Sequence, residues 1–263
     1  MSSGGIDVTI GEVAAALVLV AVAVAISRWR RAELEADIGI AVLRSFLQLT
    51  AIGFVITAIF DVDSLLLVVA LLAVMVGFAA FTARARARHV PEALTPLLIA
   101  LTLAATATLG LVLVLGIFPA TPRYLVPVGG MVIGNAMTAS AVALNRLGDE
   151  MRADSLRIEA TLALGATARQ AAEPSVRRAL RSGTIALVDA TKTTGLIFFP
   201  GTMVGMLLAG ADPTDAVRLQ LILLYVLLGA VAISALVSTT LAYRNFFTAA
   251  DQLRDQADFR PDG

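Results

Sequence analysis

The chain of 263 residues has no cysteine, one lysine and one histidine. Without cysteine there are no disulfides and no thiolate metal sites. A nucleotide-binding P-loop reads G-x-x-x-x-G-K-[ST] and needs its lysine on the phosphates. Lys192 stands in "ATKTTG", with no such glycine before it, so the chain has no ATP site of that kind. His89 lies in the arginine-rich stretch "RARARHVPEA" and reads as a solvated loop residue rather than a metal ligand. No metal and no bound cofactor are expected in this chain.

Charge is scarce too. Charged residues make up 15% of the chain, where a soluble domain has about a quarter. Hydrophobic residues make up 58%, and the mean hydropathy is +0.86. The formal net charge is zero, which gives no reason to expect a nucleic-acid partner. The apolar residues come in blocks of about 20, the length of a bilayer-crossing helix. The first block, "VAAALVLVAVAVAIS", has no basic residue before it and "RWRR" soon after. That reverses the charge order of a signal peptide and reads as a retained anchor.

The pattern predicts an all-α integral membrane protein, a single transmembrane domain over residues 1–263. Seven spans are expected at about 9–27, 38–60, 63–82, 94–118, 124–145, 183–209 and 216–242. A loop of about 146–182 joins spans five and six. Arginines alternate between the connections: Arg28, Arg30 and Arg31, then none, then Arg84, Arg86 and Arg88, then only Arg123. The fifth loop is rich in arginine, the sixth has none, and the tail carries Arg244, Arg254 and Arg260. Positive charge stays on the cytoplasmic side, so the N-terminus is expected outside and the C-terminus in the cytoplasm, in a cell membrane.

The fifth loop alternates charged and apolar residues at helical spacing through Met151, Leu156, Glu159 and Leu162, which predicts a helix over about 149–164. Gly165 fits the left-handed position that ends a helix. Thr167 and Gln170 have capping-box spacing for a second helix, and Pro174 predicts a kink or a return to the membrane. The product is a helix–turn–helix with an apolar stripe left over. It fits a partner protein or a pair of helices on the membrane surface.

Several polar or small residues fall inside the spans. Arg44 and Gln48 share a helix face; Arg44 is close enough to the cytoplasmic end to reach lipid phosphates. Asn135 and Thr138 lie deeper. Gly130 and Gly134 form G-x-x-x-G, as do Gly201 and Gly205, a spacing that lets helices approach closely. Met131, Met137, Met203 and Met206 read as core filling. Pro200–Gly201 interrupts the sixth span, and a broken helix exposes carbonyls able to bind a polar substrate. Just before it, Asp189 and Lys192 are spaced i and i+3 and make each other tolerable at depth, with Thr193 beside them. Asp189, Lys192, Thr193, Asn135, Thr138, Arg44 and Gln48 are the candidate pathway residues.

In the fifth loop "EATLALGA" resembles the "EAA…G" loop of ABC transporter permeases. The stretches "VLRSFLQLTAIGFVI", "VPVGGMVIGNAMTASAVALNRLG", "LVDATKTTGLIFFPGTMVGMLLAGADP" and "TLAYRNFF" resemble one family over roughly residues 38–255. That family is the FetB-type permeases of iron-export ABC transporters, to which a plant aluminium-tolerance membrane protein also belongs. In place of the broader loop's downstream "I-x-L-P" stands "SVRRAL".

The resemblance implies a transmembrane permease subunit that is not itself an enzyme. It implies a separate ABC-type ATPase holding ATP and Mg, docked on Glu159, Ala160, Leu164, Gly165 and Ala166. It also implies a homodimer, since two ATPases need two loops. The family points to iron as cargo. Export of a nucleotide-sugar or other anionic cargo, and a scaffold or receptor subunit without transport, are the alternatives.

Overall fold

The computed structural model describes residues 10–62, 64–87 and 89–254. Every regular element among them is helical: α1 (Ile10–Arg30), α2 (Glu35–Val62), α3 (Leu65–Arg86), α4 (Leu94–Val114), α5 (Pro122–Ala153), α6 (Ser155–Ala163), α7 (Ala168–Thr193), α8 (Gly201–Leu208) and α9 (Pro213–Ala242). A 3-10 turn, Tyr243–Phe246, follows α9. Among the described residues six helices are long and apolar enough to cross a membrane: α1 to α5 and α9.

The core joins α3, α4, α5, α7 and α9, with Leu97, Leu101, Val132, Leu144, Leu147 and Ala230 among its buried side chains. Met131 and Met137 pack against it, and Met203 is buried on α8. Small residues set a close crossing of α5 and α7. A Cβ at Gly183 of α7 would lie 2.7 Å from the Ala139 carbonyl oxygen and 2.7 Å from the Ala143 Cβ of α5. By contrast α1 packs on α2, and α2 touches α5 only lightly. Their apolar faces are exposed, as suits helices that lie in lipid.

Two expected boundaries move. The hairpin's first helix was expected from about Asp149, but α5 runs on to Ala153 and α6 begins at Ser155. Nothing in "NRLGDEM" breaks the helix, because Gly148 is accommodated where it meets the His89 backbone. The buried side chain of α6 is Ile158, with Leu162 half-buried, while Leu156 points out. The expected sixth span, 183–209, is not one helix: α7 stops at Thr193, seven residues intervene, and α8 starts at Gly201. The break is longer than Pro200–Gly201 alone because Gly195 already turns the chain at φ +84. Pro174 sits inside α7, which continues past it.

Candidate functional site: a braced hairpin and an exposed charge pair

The hairpin is built by its turn. Gly165 adopts φ +87; its N–H donates to Leu162 O and the Ala166 N–H donates to Thr161 O. This is the paired closure that a left-handed C′ residue allows. Thr167 then caps α7: its hydroxyl accepts from the Gln170 N–H while the Gln170 side chain accepts from the Thr167 N–H. Glu159, Ala160, Leu164 and Gly165 are exposed at the tip and Ala166 is half-buried. Leu164 is 89% and Leu156 81% exposed, an apolar surface on an otherwise polar projection.

The base of the hairpin holds an ionic network that sequence reading missed. Glu150, nearly buried on α5, accepts from Arg146 on its own helix and from Arg178 of α7 at 2.5 Å. Arg178 also bonds Asp154, in the joint between α5 and α6. Arg157 of α6 reaches Asp154 at 2.9 Å and Ser175 and the Ala171 carbonyl of α7 at 3.5 Å. Burial alone raises the Asp154 carboxyl, but the hydrogen bonds and charges of Arg157 and Arg178 outweigh it and hold it below its ordinary 3.8. A lowered carboxyl adds stability above its unfolded value and loses it only as pH falls through the folded one. Asp154 is therefore held as a carboxylate near neutrality. The only hint in the sequence was the i, i+4 spacing of Arg146, Glu150 and Asp154; Arg178 is too distant in the chain to be paired by spacing.

The second constellation lies near the end of α7. Lys192 Nζ donates to Asp189 Oδ1 at 2.9 Å, and the two side chains remain 66% and 59% exposed. Lys192 is nine residues from Gly183, half a turn round the helix at 3.6 residues per turn, so it faces away from α5. The Thr193 and Thr194 hydroxyls donate back to the Asp189 and Ala190 carbonyls, which leaves their oxygens free to accept. Leu196 and Ile197 follow, both strongly exposed.

The other predicted residues are elsewhere. Asn135 is half-buried and donates to its own helix at Met131 O, 2.8 Å away; Thr138 is exposed and donates to Gly134 O. No hydrogen bond joins either to Asp189 or Lys192 among the described residues. Arg44 and Gln48 line a cleft between α2, α3 and α5 of about 1070 Å3, with Gly130 and Gly134 on its α5 wall. A Cβ at Gly130 would meet only Met75 Cε at 3.3 Å, and one at Gly134, Gly201 or Gly205 would meet nothing within 4 Å. His89 is partly covered, with Nδ1 3.3 Å from Asp149 Oδ1. Among the described residues no group of three or more acidic or histidine side chains is placed to hold a metal.

A bundle of apolar helices with a braced hairpin at one end defines a multi-pass membrane protein. Residues 10–247 match the uncharacterised protein family UPF0014, and the chain belongs to that family. It is 41% identical over 241 residues to "Protein ALUMINUM SENSITIVE 3" of Arabidopsis thaliana, covering 92% of this chain and 88% of that one. It is 41% identical to "UPF0014 membrane protein STAR2" of Oryza sativa subsp. japonica over 86% of this chain and 79% of that one. It is 34% identical to "Probable iron export permease protein FetB" of Escherichia coli (strain K12) over 94% of this chain and 95% of that one. No solved structure matches the chain.

Proposed function

We propose that this chain is the permease subunit of an ABC exporter, working as two copies with two separate ATPase subunits in a cell membrane. The observation that carries this is the hairpin: an exposed tip at Glu159–Gly165 on a base cross-braced to α5 and α7. A rigid lever with an apolar tip passes a push from a soluble partner into the bundle. Similarity to the iron export permease over nearly both chains supports a metal ion such as iron as cargo. An anionic cargo is the second reading, favoured by the exposed Lys192 ammonium. The path runs along the face of α7 that carries Asp189, Lys192 and Thr193, while Asn135 and Thr138 of α5 lie off that face. Vesicles holding permease and ATPase, loaded with ferrous iron or with an anionic nucleotide, separate the two cargoes; ATP-independent behaviour with both would leave only a scaffold.

Valine at Gly165 is expected to cost about 1–2 kcal/mol at a backbone held at positive φ and to deform the tip. The variant should insert normally yet fail to copurify with the ATPase. Full coupled transport in Gly165→Val would remove the docking role.

In this reading α7, the 194–200 break and α8 together make a discontinuous seventh crossing, which places the termini on opposite sides. The chain has no native cysteine, so single-cysteine labelling is clean. The tail position Asp258 lies outside the described residues, but Gly11 and Ala249 are exposed. An impermeant maleimide applied to intact cells should label Gly11→Cys and spare Ala249→Cys. Labelling of both from outside would rule out seven crossings.

A further inference from the structure

We infer that the cleft between α2, α3 and α5 is a binding site for an anionic phospholipid. Its two ends differ in chemistry. Arg44 and Gln48 of α2 and Arg86 of α3 line one end, while Ile52, Met75 and Phe78 line the rest. Among the described residues the side chains of Arg44, Gln48 and Arg86 have no hydrogen bond or ion pair. The other polar groups there are already engaged: Ser45 donates to Val42 O and Thr82 to Phe78 O. Asp37 also lines the cleft, but it stands seven residues before Arg44, about 10 Å nearer the start of α2 at 1.5 Å per residue. Arg44 therefore presents its charge away from Asp37, beside the apolar walls, and Arg86 at the end of α3 adds a second guanidinium to the same cleft, so the lining carries two positive charges against one negative.

A guanidinium matches a phosphate through paired N–H donors, and basic pockets between membrane helices suit acidic headgroups. A metal cation is repelled by two arginines. A molecule with an anionic head and hydrocarbon tails satisfies both ends, its tails lying along the open face of Gly134, where nothing within 4 Å fills the space. The inference needs only that the chain spans a membrane, not that it exports a particular cargo.

The test is the thermal unfolding midpoint of the purified full chain in neutral detergent. Phosphatidylglycerol should raise it by several degrees; phosphatidylcholine and soluble glycerol 3-phosphate should not. The double variant R44Q/R86Q should lose the increment. Gly134→Leu, which keeps both arginines but fills the tail groove, should lose it too. An equal increment in R44Q/R86Q would overturn the site. An increment from glycerol 3-phosphate alone would reassign it to a free anion. A change of oligomeric state in R44Q/R86Q without lipid would reassign it to a second copy.

Discussion

Leucine at position 183 is expected to yield little monodisperse protein, whereas leucine at 134, 201 or 205 leaves folding intact. The Gly183 Cβ position is 2.7 Å from a backbone carbonyl oxygen and 2.7 Å from another Cβ, and a carbonyl in a helix cannot step aside cheaply. Overpacking of this kind typically costs about 1–3 kcal/mol and sometimes more; here even the first carbon collides. The α5–α7 crossing lies between the hairpin brace and the Asp189–Lys192 pair, so its loss should disconnect both. Size-exclusion profiles and unfolding midpoints of the four single variants check this. A Gly183→Leu protein as stable as the Gly134→Leu protein would contradict the crossing.

That contrast shows what a single sequence conceals. The G-x-x-x-G spacing singled out Gly130, Gly134, Gly201 and Gly205, of which only Gly130 has a neighbour within 4 Å in this chain. Gly129, Gly148 and Gly183, which make the close approaches, have no shared spacing, because closeness depends on the partner helix. Local chemistry was readable in advance: the Thr167–Gln170 box and the positive φ of Gly165 both occur as expected, since each is decided within a few residues. Apolar length located the six long helices for the same reason. The sixth span was misjudged in its continuity because Gly195 turns a chain whose composition still looks membrane-spanning. Arg178 was read only as a loop charge, since its pairing with Glu150 and Asp154 depends on α5 and α7 lying antiparallel. Asn135 and Lys192 were both read as candidate pathway residues, and which way each faces was not legible, because it depends on how α7 is rotated against α5 through Gly183.

Removing both charges of the Asp189–Lys192 pair is expected to leave a folded, ATPase-docked protein whose transport is strongly reduced. The pair is local, i and i+3 on one helix at 2.9 Å, and both side chains are more than half exposed in the single chain. Exposed to lipid, each charge would cost about 2.5–3.5 kcal/mol on insertion scales, so in the membrane this face meets water or a second copy. A pair kept only for packing gains nothing from that exposure and would be replaced by apolar groups without loss. The single variants Asp189→Asn and Lys192→Met should each be less stable than the double, because each strands one charge. The cycle assigns the coupling between them. Transport by the double variant should fall at least about tenfold, equivalent to about 1.4 kcal/mol on the limiting barrier, with the unfolding midpoint and ATPase copurification near those of the unaltered chain. Wild-type transport by a stable double variant would reduce the pair to a structural link. Loss of docking together with transport would place its effect in the bundle rather than on the cargo.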